Sequence, residues 1–169
     1  ELLAIEKMVR FIGRSGVDGI NYTSLSKNLG ITKYKAESYV QLLVRAFVVT
    51  VVMPKGTNVM QQPKVLLSLP YRLLYRDYDD CVGGLREDFF ATMMNMAGKE
   101  FYYLKSTRGQ KTPDFLVGND DVSMVIEIGG KGKGREQFKG VDSKKKMILA
   151  HGDVFDGIKR PLYLLGYIT

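Results

Sequence analysis

The chain has 169 residues with a net charge of +7, and it contains a single Cys and a single His. Those counts exclude a disulfide framework and a Cys/His zinc site. The basic balance favours an anionic partner such as nucleic acid. No apolar run reaches the roughly 18 residues of a membrane helix, so we expect a cytoplasmic protein without a membrane association. Because Glu1 already lies in a helical pattern without an initiator Met, we expect a fragment of a longer chain.

Three helices are predicted in the first part of the chain. Apolar residues recur at helical spacing over 2–12. Thr23 predicts the start of a second helix that ends at Gly30, and Thr32 predicts the start of a third over 33–44. A short helix, a turn containing Gly and a longer helix form a helix-turn-helix pattern.

A hairpin is predicted after the third helix. The segments 47–53 and 64–69 are rich in β-branched and aliphatic residues, and 54–60 is rich in turn residues. Three helices followed by a hairpin predict a winged helix. Its third helix would offer these side chains to the major groove of DNA: Lys33, Tyr34, Lys35, Ser38 and Gln41. The net charge of 21–52 is only +3, so a protein-interaction or spacer role stays open.

The apolar pattern is interrupted between the two halves. The acidic run 76–80 and the pair Gly83-Gly84 favour a solvated linker there. We therefore predict two domains, over residues 1–76 and 77–169.

A helix is predicted over 85–97, with Glu87 on or beside its buried face. A carboxylate in that position has to be hydrogen-bonded, paired or bound to metal, because burying it bare is costly. The alternative is that Glu87 stabilises the first turn of the helix through the helix dipole.

Three strand-like segments follow, at 100–105, 114–117 and 122–128, and the last two predict a hairpin. A tight turn at residues 119–120 would place Asp114 opposite Val125. Because side chains alternate between faces, Glu127 would share the face of Asp114 as its diagonal neighbour, roughly 7–8 Å away. The strands would then bury one face and present two acids on the other.

Glu87, Asp114 and Glu127 are the kind of carboxylate set that holds Mg²⁺ in a phosphodiesterase, where the metal polarises the phosphate and activates water. Thr112-Pro113-Asp114-Phe115 followed by Val125-Ile126-Glu127-Ile128 resembles the core of the PD-(D/E)XK nucleases. More particularly, nearly the whole chain resembles the C-terminal region of bacterial and archaeal AAA-type ATPases. That region carries a winged helix and then a nuclease-like domain of unknown function.

The resemblance rests on the order of its parts. After the winged helix come the segments 62–65, 85–90 and 101–103, the two acidic strands, and 162–165. It implies an N-terminal winged helix-turn-helix followed by a PD-(D/E)XK, restriction-endonuclease-like α/β domain. It also implies Mg²⁺ or Mn²⁺ as cofactor, DNA as partner and an ATPase domain upstream in the same chain. Because these residues contain no G-x-x-x-x-G-K-[ST] motif, we expect no ATP site in this fragment.

One position departs from the family pattern. Where the pattern has a lysine two residues after the strand glutamate, this chain has Gly129. Lys131 or Lys133 could reach back, since a lysine stem is long and glycines are permissive, although a degenerate site is the simpler interpretation. The predicted catalytic set is therefore Glu87, Asp114, Glu127 and Lys131, with the three acids also as metal ligands.

The stretch 129–146 is the most basic of the chain, with a net charge of +5. Its candidate DNA contacts are Lys131, Lys133, Arg135 and, by resemblance, Gln137 on a helix that follows the strand. The alternative is a solvated, mobile Gly/Lys loop.

The sequence thus favours a DNA-associated module of an AAA-type ATPase with a weakened nuclease-like site. One alternative is an inactive scaffold that docks DNA or protein. Another is a winged-helix transcriptional regulator that acts through its third helix. Whether the chain is an enzyme, and its oligomeric state, stay open.

Overall fold

The computed structural model describes residues 1–16, 19–56, 62–104, 112–118, 123–130, 132–139, 141, 143 and 145–168. The protein is mixed α+β, as predicted, and divides into two compact units. Unit 1 comprises Glu1–Val52 and Asn58–Thr92, and unit 2 comprises Met53–Thr57 and Met93–Thr169. Among the helices so described, none combines the length and the apolar character needed to cross a bilayer.

Unit 1 begins with three helices, α1 (Leu2–Arg14), α2 (Tyr22–Leu29) and α3 (Lys33–Arg45). Asn21, and not Thr23, caps α2: the Asn21 side chain accepts a hydrogen bond from the Ser24 N–H, and Ser24 Oγ accepts one from the Asn21 N–H. The earlier start lets Tyr22 join Leu25 in the core. Thr32 caps α3, as predicted.

The predicted hairpin of unit 1 is confirmed, with shorter strands. Strands β1 (Val49–Val52) and β2 (Lys64–Leu67) pair antiparallel. The segment between α1 and α2 also contacts this hairpin, because Val65 N–H donates to the Ile20 carbonyl over 2.8 Å. The core of unit 1 lies between the three helices and the two strands.

Helix α4 (Tyr78–Met96) begins seven residues earlier than predicted, so residues 78–84 are helical and not a linker. Its first turn holds Asp79 and Asp80, whose charges suit the helix dipole. The units divide at Thr92, inside α4. Residues 77–92 therefore group with unit 1, whereas the sequence places the domain boundary after residue 76.

Unit 2 contains a mixed sheet in the order β3-β4-β5-β6-β7. Its strands are β3 (Phe101–Tyr103), β4 (Phe115–Val117), β5 (Met124–Gly129), β6 (Lys145–Ala150) and β7 (Lys159–Pro161). The first three pair antiparallel, which confirms the predicted hairpin of β4 and β5, and the last three pair parallel. Residues 53–55 extend the edge at β3 through hydrogen bonds with both backbone groups of Tyr103.

The connection from β5 to β6 contains a 3₁₀ helix, Arg135–Phe138, in place of the predicted helix that carries Gln137. Phe138 packs against Leu116, Val125 and Ile148, so this connection covers one face of the sheet. Elsewhere in the described residues, 3₁₀ helices are formed by Tyr71–Leu74 in unit 1 and by Leu162–Tyr167 in unit 2.

Candidate functional site

Asp114 lies immediately before β4, half-buried, and contacts β5. Its Oδ2 accepts a hydrogen bond from the Ile128 N–H over 2.7 Å. In the hairpin, Leu116 and not Asp114 pairs with Val125. The predicted register is therefore wrong by two residues, and the observed register, continued by one residue, places Asp114 opposite Glu127. A shift of two preserves the face on which a side chain lies, so both acids still share a face.

The sequence predicts one buried face and two acids on the other, but the face that carries the acids is also buried at Glu127. Glu127 is only 1% exposed, and Val125 on the same face is equally buried. Ile148, the partner of Glu127 on β6, is fully buried as well. The connection between β5 and β6 covers this face, so Glu127 is a carboxylate inside the protein and needs a partner there.

Lys133 is that partner. Its Nζ lies 2.6 Å from Glu127 Oε1, and the lysine side chain is 40% exposed whereas the glutamate side chain is 2% exposed. The lysine thus connects a buried carboxylate with the surface. Of the two lysines considered for this role, Lys133 reaches the acid, and Lys131 lies outside the described residues.

Gly129 makes the path of Lys133 possible. A Cβ at residue 129 would lie 2.4 Å from Lys133 Cγ and 2.9 Å from its Cε, both closer than packed carbon atoms approach. The lysine stem therefore occupies the space that a side chain at 129 would fill. The residue that interrupts the expected motif is also the one that admits a lysine from four residues further along the chain.

Glu87 belongs to α4 in unit 1, and it pairs there with Lys64. The distance from Glu87 Oε2 to Lys64 Nζ is 2.6 Å, and the Lys64 side chain is 9% exposed. The alternative role at a helix start is wrong, because α4 begins at Tyr78. Glu87 lies in unit 1, whereas Asp114 and Glu127 lie in unit 2.

The sequence did not indicate the role of Asp88, the neighbour of Glu87. Asp88 is fully buried, and both of its oxygens accept hydrogen bonds from Arg72, Nε to Oδ2 over 2.6 Å and Nη2 to Oδ1 over 3.0 Å. Leu67 N–H donates to Oδ1 as well. Burial raises the pKa of Asp88, and the hydrogen bonds and charge of Arg72 oppose that effect. Because the buried Arg72 needs an acidic partner, its burial indicates that one is present, but only the fold shows that the partner is Asp88.

Within the described ranges, no three His, Cys, Asp or Glu side chains are grouped so as to hold a metal ion. Asp114 and Glu127 nevertheless supply the carboxylate oxygens that Mg²⁺ and Mn²⁺ prefer. The prediction of a metal site with Glu87 as third ligand stays a prediction.

The predicted DNA contacts divide into two sets. On α3, Lys33, Tyr34, Lys35 and Gln41 are exposed, and Ser38 is half-buried. In unit 2, the 3₁₀ helix over 135–138 carries an exposed Arg135 and a half-buried Gln137, whereas Lys133 is engaged with Glu127. The predicted contact from Lys131 falls outside the described residues.

No protein-family model, curated protein or solved structure matches the chain.

Proposed function

We propose that the chain is a DNA-associated module of an AAA-type ATPase, with a winged helix in unit 1 and a PD-(D/E)XK-like phosphodiesterase site in unit 2. The observation that carries the proposal is the buried Glu127, paired with a partly exposed Lys133 and lying beside Asp114 in the continued register. An acid at the start of one strand, a glutamate on the next and a lysine close by are the parts that the resemblance implies.

The unit 2 residues suit a divalent cation. Asp114 and Glu127 would hold Mg²⁺ or Mn²⁺ through their carboxylate oxygens, and the bound metal would polarise a phosphate and activate water. The Asp114 carboxylate is held in place through Oδ2 by the Ile128 N–H, which fixes its position beside β5.

Lys133 would act on the phosphate. Its ammonium group is held at the surface end of a buried carboxylate, so it combines a fixed position with access to a ligand. A cation held in this way stabilises the negative charge that develops on a phosphate during hydrolysis, and it does so more strongly at a partly dry site than in water. This assigns to Lys133 the role that the sequence gave to Lys131.

Unit 1 would contact DNA through α3. Its first turn exposes Lys33, Tyr34 and Lys35, and basic residues at a helix N-terminus add to the positive end of the helix dipole. Contacts of this kind bind phosphates and fix the protein's position on a duplex.

Cleavage of supercoiled plasmid and of branched DNA in Mg²⁺ or Mn²⁺ tests the proposal. The matched variant is Asp114→Asn, because asparagine keeps an oxygen that accepts from the Ile128 N–H but removes the charge that a metal needs. We expect metal-dependent cutting by the wild type, loss of cutting in Asp114→Asn at an unchanged thermal midpoint, and full activity in Lys99→Ala, which changes an exposed lysine.

A second candidate is a catalytically inactive scaffold that docks DNA. It is favoured because each of the three predicted acids contacts a group of the same chain. These groups are Lys64 for Glu87, Lys133 for Glu127 and the Ile128 N–H for Asp114. These contacts stabilise the fold without metal. The scaffold function is supported if the wild type does not cut DNA but binds it in EDTA, with an affinity that falls steeply as the salt concentration rises. Absence of both cutting and binding would overturn both candidates.

A further inference from the structure

A basic groove of about 770 Å³ lies in unit 2, and its lining does not include Asp114, Glu127 or Lys133. Among the described residues that line the groove, Arg135, Lys139, Lys145 and Lys146 are the cations and Glu136 is the acid. The first three cations are exposed, and Lys146 is half-buried. Four like charges around one concavity repel each other and are stabilised by a bound polyanion.

The groove lies where the parallel strands β5 and β6 begin. Met124 and Lys145, the first residues of the two strands, are paired in register, and both line the groove. Lys146 pairs with Val125, so its side chain lies on the same face of the sheet as Glu127, two residues further along β5. Two residues of a strand span about 7 Å. A ligand in the groove would therefore lie next to the face that holds Glu127.

The lining combines charge with an apolar floor. Met124 and Ile158 are half-buried apolar residues that line the groove together with the cations. A nucleic acid strand is complementary to such a lining, because each nucleotide carries one negatively charged phosphate and one base with an apolar face. A concavity of this volume is typical of a small-ligand site, so it suits one or two nucleotides of a single strand.

We propose that this groove binds a single strand of nucleic acid, with phosphates on Arg135, Lys139 and Lys145 and a base on Met124 and Ile158. The inference rests on the proposed function for its choice of nucleic acid over an acidic polypeptide. It adds a binding position at the start of β5 and β6, where Lys146 lies on the face of Glu127, and names single-stranded nucleic acid as the ligand.

The test is the fluorescence anisotropy of a labelled single-stranded oligonucleotide in EDTA, so that binding is measured without cleavage. The variant Lys139→Ala/Lys145→Ala removes two cations of the groove, and Lys99→Ala is the control for the loss of exposed positive charge. We expect at least a tenfold weaker affinity for the double variant and a change under twofold for the control. The slope of log affinity against log salt should fall by about 1.4, as expected for two lost phosphate contacts on a single strand.

Three results would overturn the inference. The first is wild-type affinity in the double variant, and the second is equal affinity for duplex and single strand with an equal loss of affinity for both in the double variant. The third is displacement of the oligonucleotide by polyglutamate at matched charge. The last would indicate an acidic polypeptide as the ligand. Failure of the proposed function is a separate result, since absence of cutting by the wild type leaves binding in EDTA unaffected. A thermal midpoint within the range of the control shows that the double variant is folded.

Discussion

Each unit of the protein contains a buried carboxylate paired with a cation, and the two pairs differ in how far they are closed. In unit 1, Asp88 and Arg72 are both buried, with side chains 0% and 7% exposed. In unit 2, Glu127 is as buried as Asp88, but the side chain of Lys133 is 40% exposed. Of the two pairs, only the second includes a partly exposed side chain.

The partners of the two pairs differ in the same way. Arg72 Nη1 also donates to the Ile12 and Ser15 carbonyls, so the unit 1 pair connects the end of α1 with β2 and α4. Glu127 and Lys133 are six residues apart and hold together one strand and the loop that follows it. A closed pair that links distant segments stabilises the fold, whereas a half-open, local pair can exchange its partner for a ligand.

The largest expected effect is from opening the closed pair. Asp88→Ala leaves Arg72 as a buried cation without its carboxylate, and removing one partner of a buried pair costs about 3–5 kcal/mol. Urea unfolding followed by circular dichroism measures the loss. The double variant Arg72→Met/Asp88→Leu should recover most of it, and no recovery would show that geometry and not charge compensation governs this position.

Gly84→Ala should have the next largest effect, because a Cβ at 84 would lie 2.8 Å from Arg72 Nε and Cζ. We expect a loss of about 1–3 kcal/mol from the displaced guanidinium. Gly83→Ala is a matched control in the same helix, since a Cβ at 83 has no described atom within 4 Å, and it should stabilise α4 by up to about 1 kcal/mol. Equal unfolding midpoints for the two variants would contradict the close approach of Arg72.

Lys133→Met should cost less, about 1–2 kcal/mol at neutral pH, because the lysine is partly solvated and its stem is retained. The substitution removes the cation that Lys133 places on the buried Glu127 carboxylate. Protonation of a carboxylate in acid removes the charge that this cation compensates, so the difference in stability from the wild type should shrink as the pH falls. Thermal midpoints measured from pH 4 to 8 test this. A difference that grows toward acid would contradict the pairing.

Gly129→Ala should move Lys133 away from Glu127, at a smaller cost, because the displaced stem is flexible and can turn toward solvent. A double-mutant cycle with Lys133→Met separates this effect from strain in β5. If the glycine acts through the lysine, the second substitution adds almost nothing to the first. Additive losses would show that Gly129 serves the strand alone.

The smallest effect concerns Cys81, which is buried beside the closed pair. Burial raises the pKa of its thiol, and the charge of Arg72 opposes this, so the thiol is protonated and shielded at neutral pH. Labelling with a thiol reagent should be slow in the native wild type and faster in Asp88→Ala. Fast labelling of the native wild type would show that reagents reach the surroundings of the Asp88–Arg72 pair, and would contradict the description of that pair as closed.

Local patterns were sufficient for the elements that depend on local signals. The helical spacing over 2–12, the Thr32 cap and the β-branched runs of the first hairpin all describe neighbours in the chain, and the structure confirms them. The sequence takes Gly83-Gly84 as an interruption at the domain boundary, but both glycines lie inside α4, and for Gly84 the reason is tertiary. The second glycine makes room for Arg72, which is distant in sequence.

The candidate site was predicted in part. The shared face of Asp114 and Glu127 follows from the alternation of side chains and survives a register error of two residues. Whether that face is buried depends on the connection from β5 to β6, whose packing no periodicity indicates. The pairing of Glu127 with Lys133 depends on the path of one lysine over Gly129, so the sequence could only name both lysines as candidates.

The two units are not consecutive stretches of chain. The polypeptide passes from unit 1 to unit 2 after Val52, returns after Thr57, and leaves again after Thr92 within α4. A single proteolytic cut after Thr92 would therefore release unit 1 whole, with residues 53–57 still attached to it, but unit 2 would lose those residues. A fragment that starts at Met93 lacks the backbone partner of Tyr103. Such a fragment exposes an unpaired strand edge, which favours self-association. Unit 1 can thus be isolated as one fragment, whereas unit 2 is intact only when residues 53–57 are supplied to it by a circular permutation or a complementing peptide.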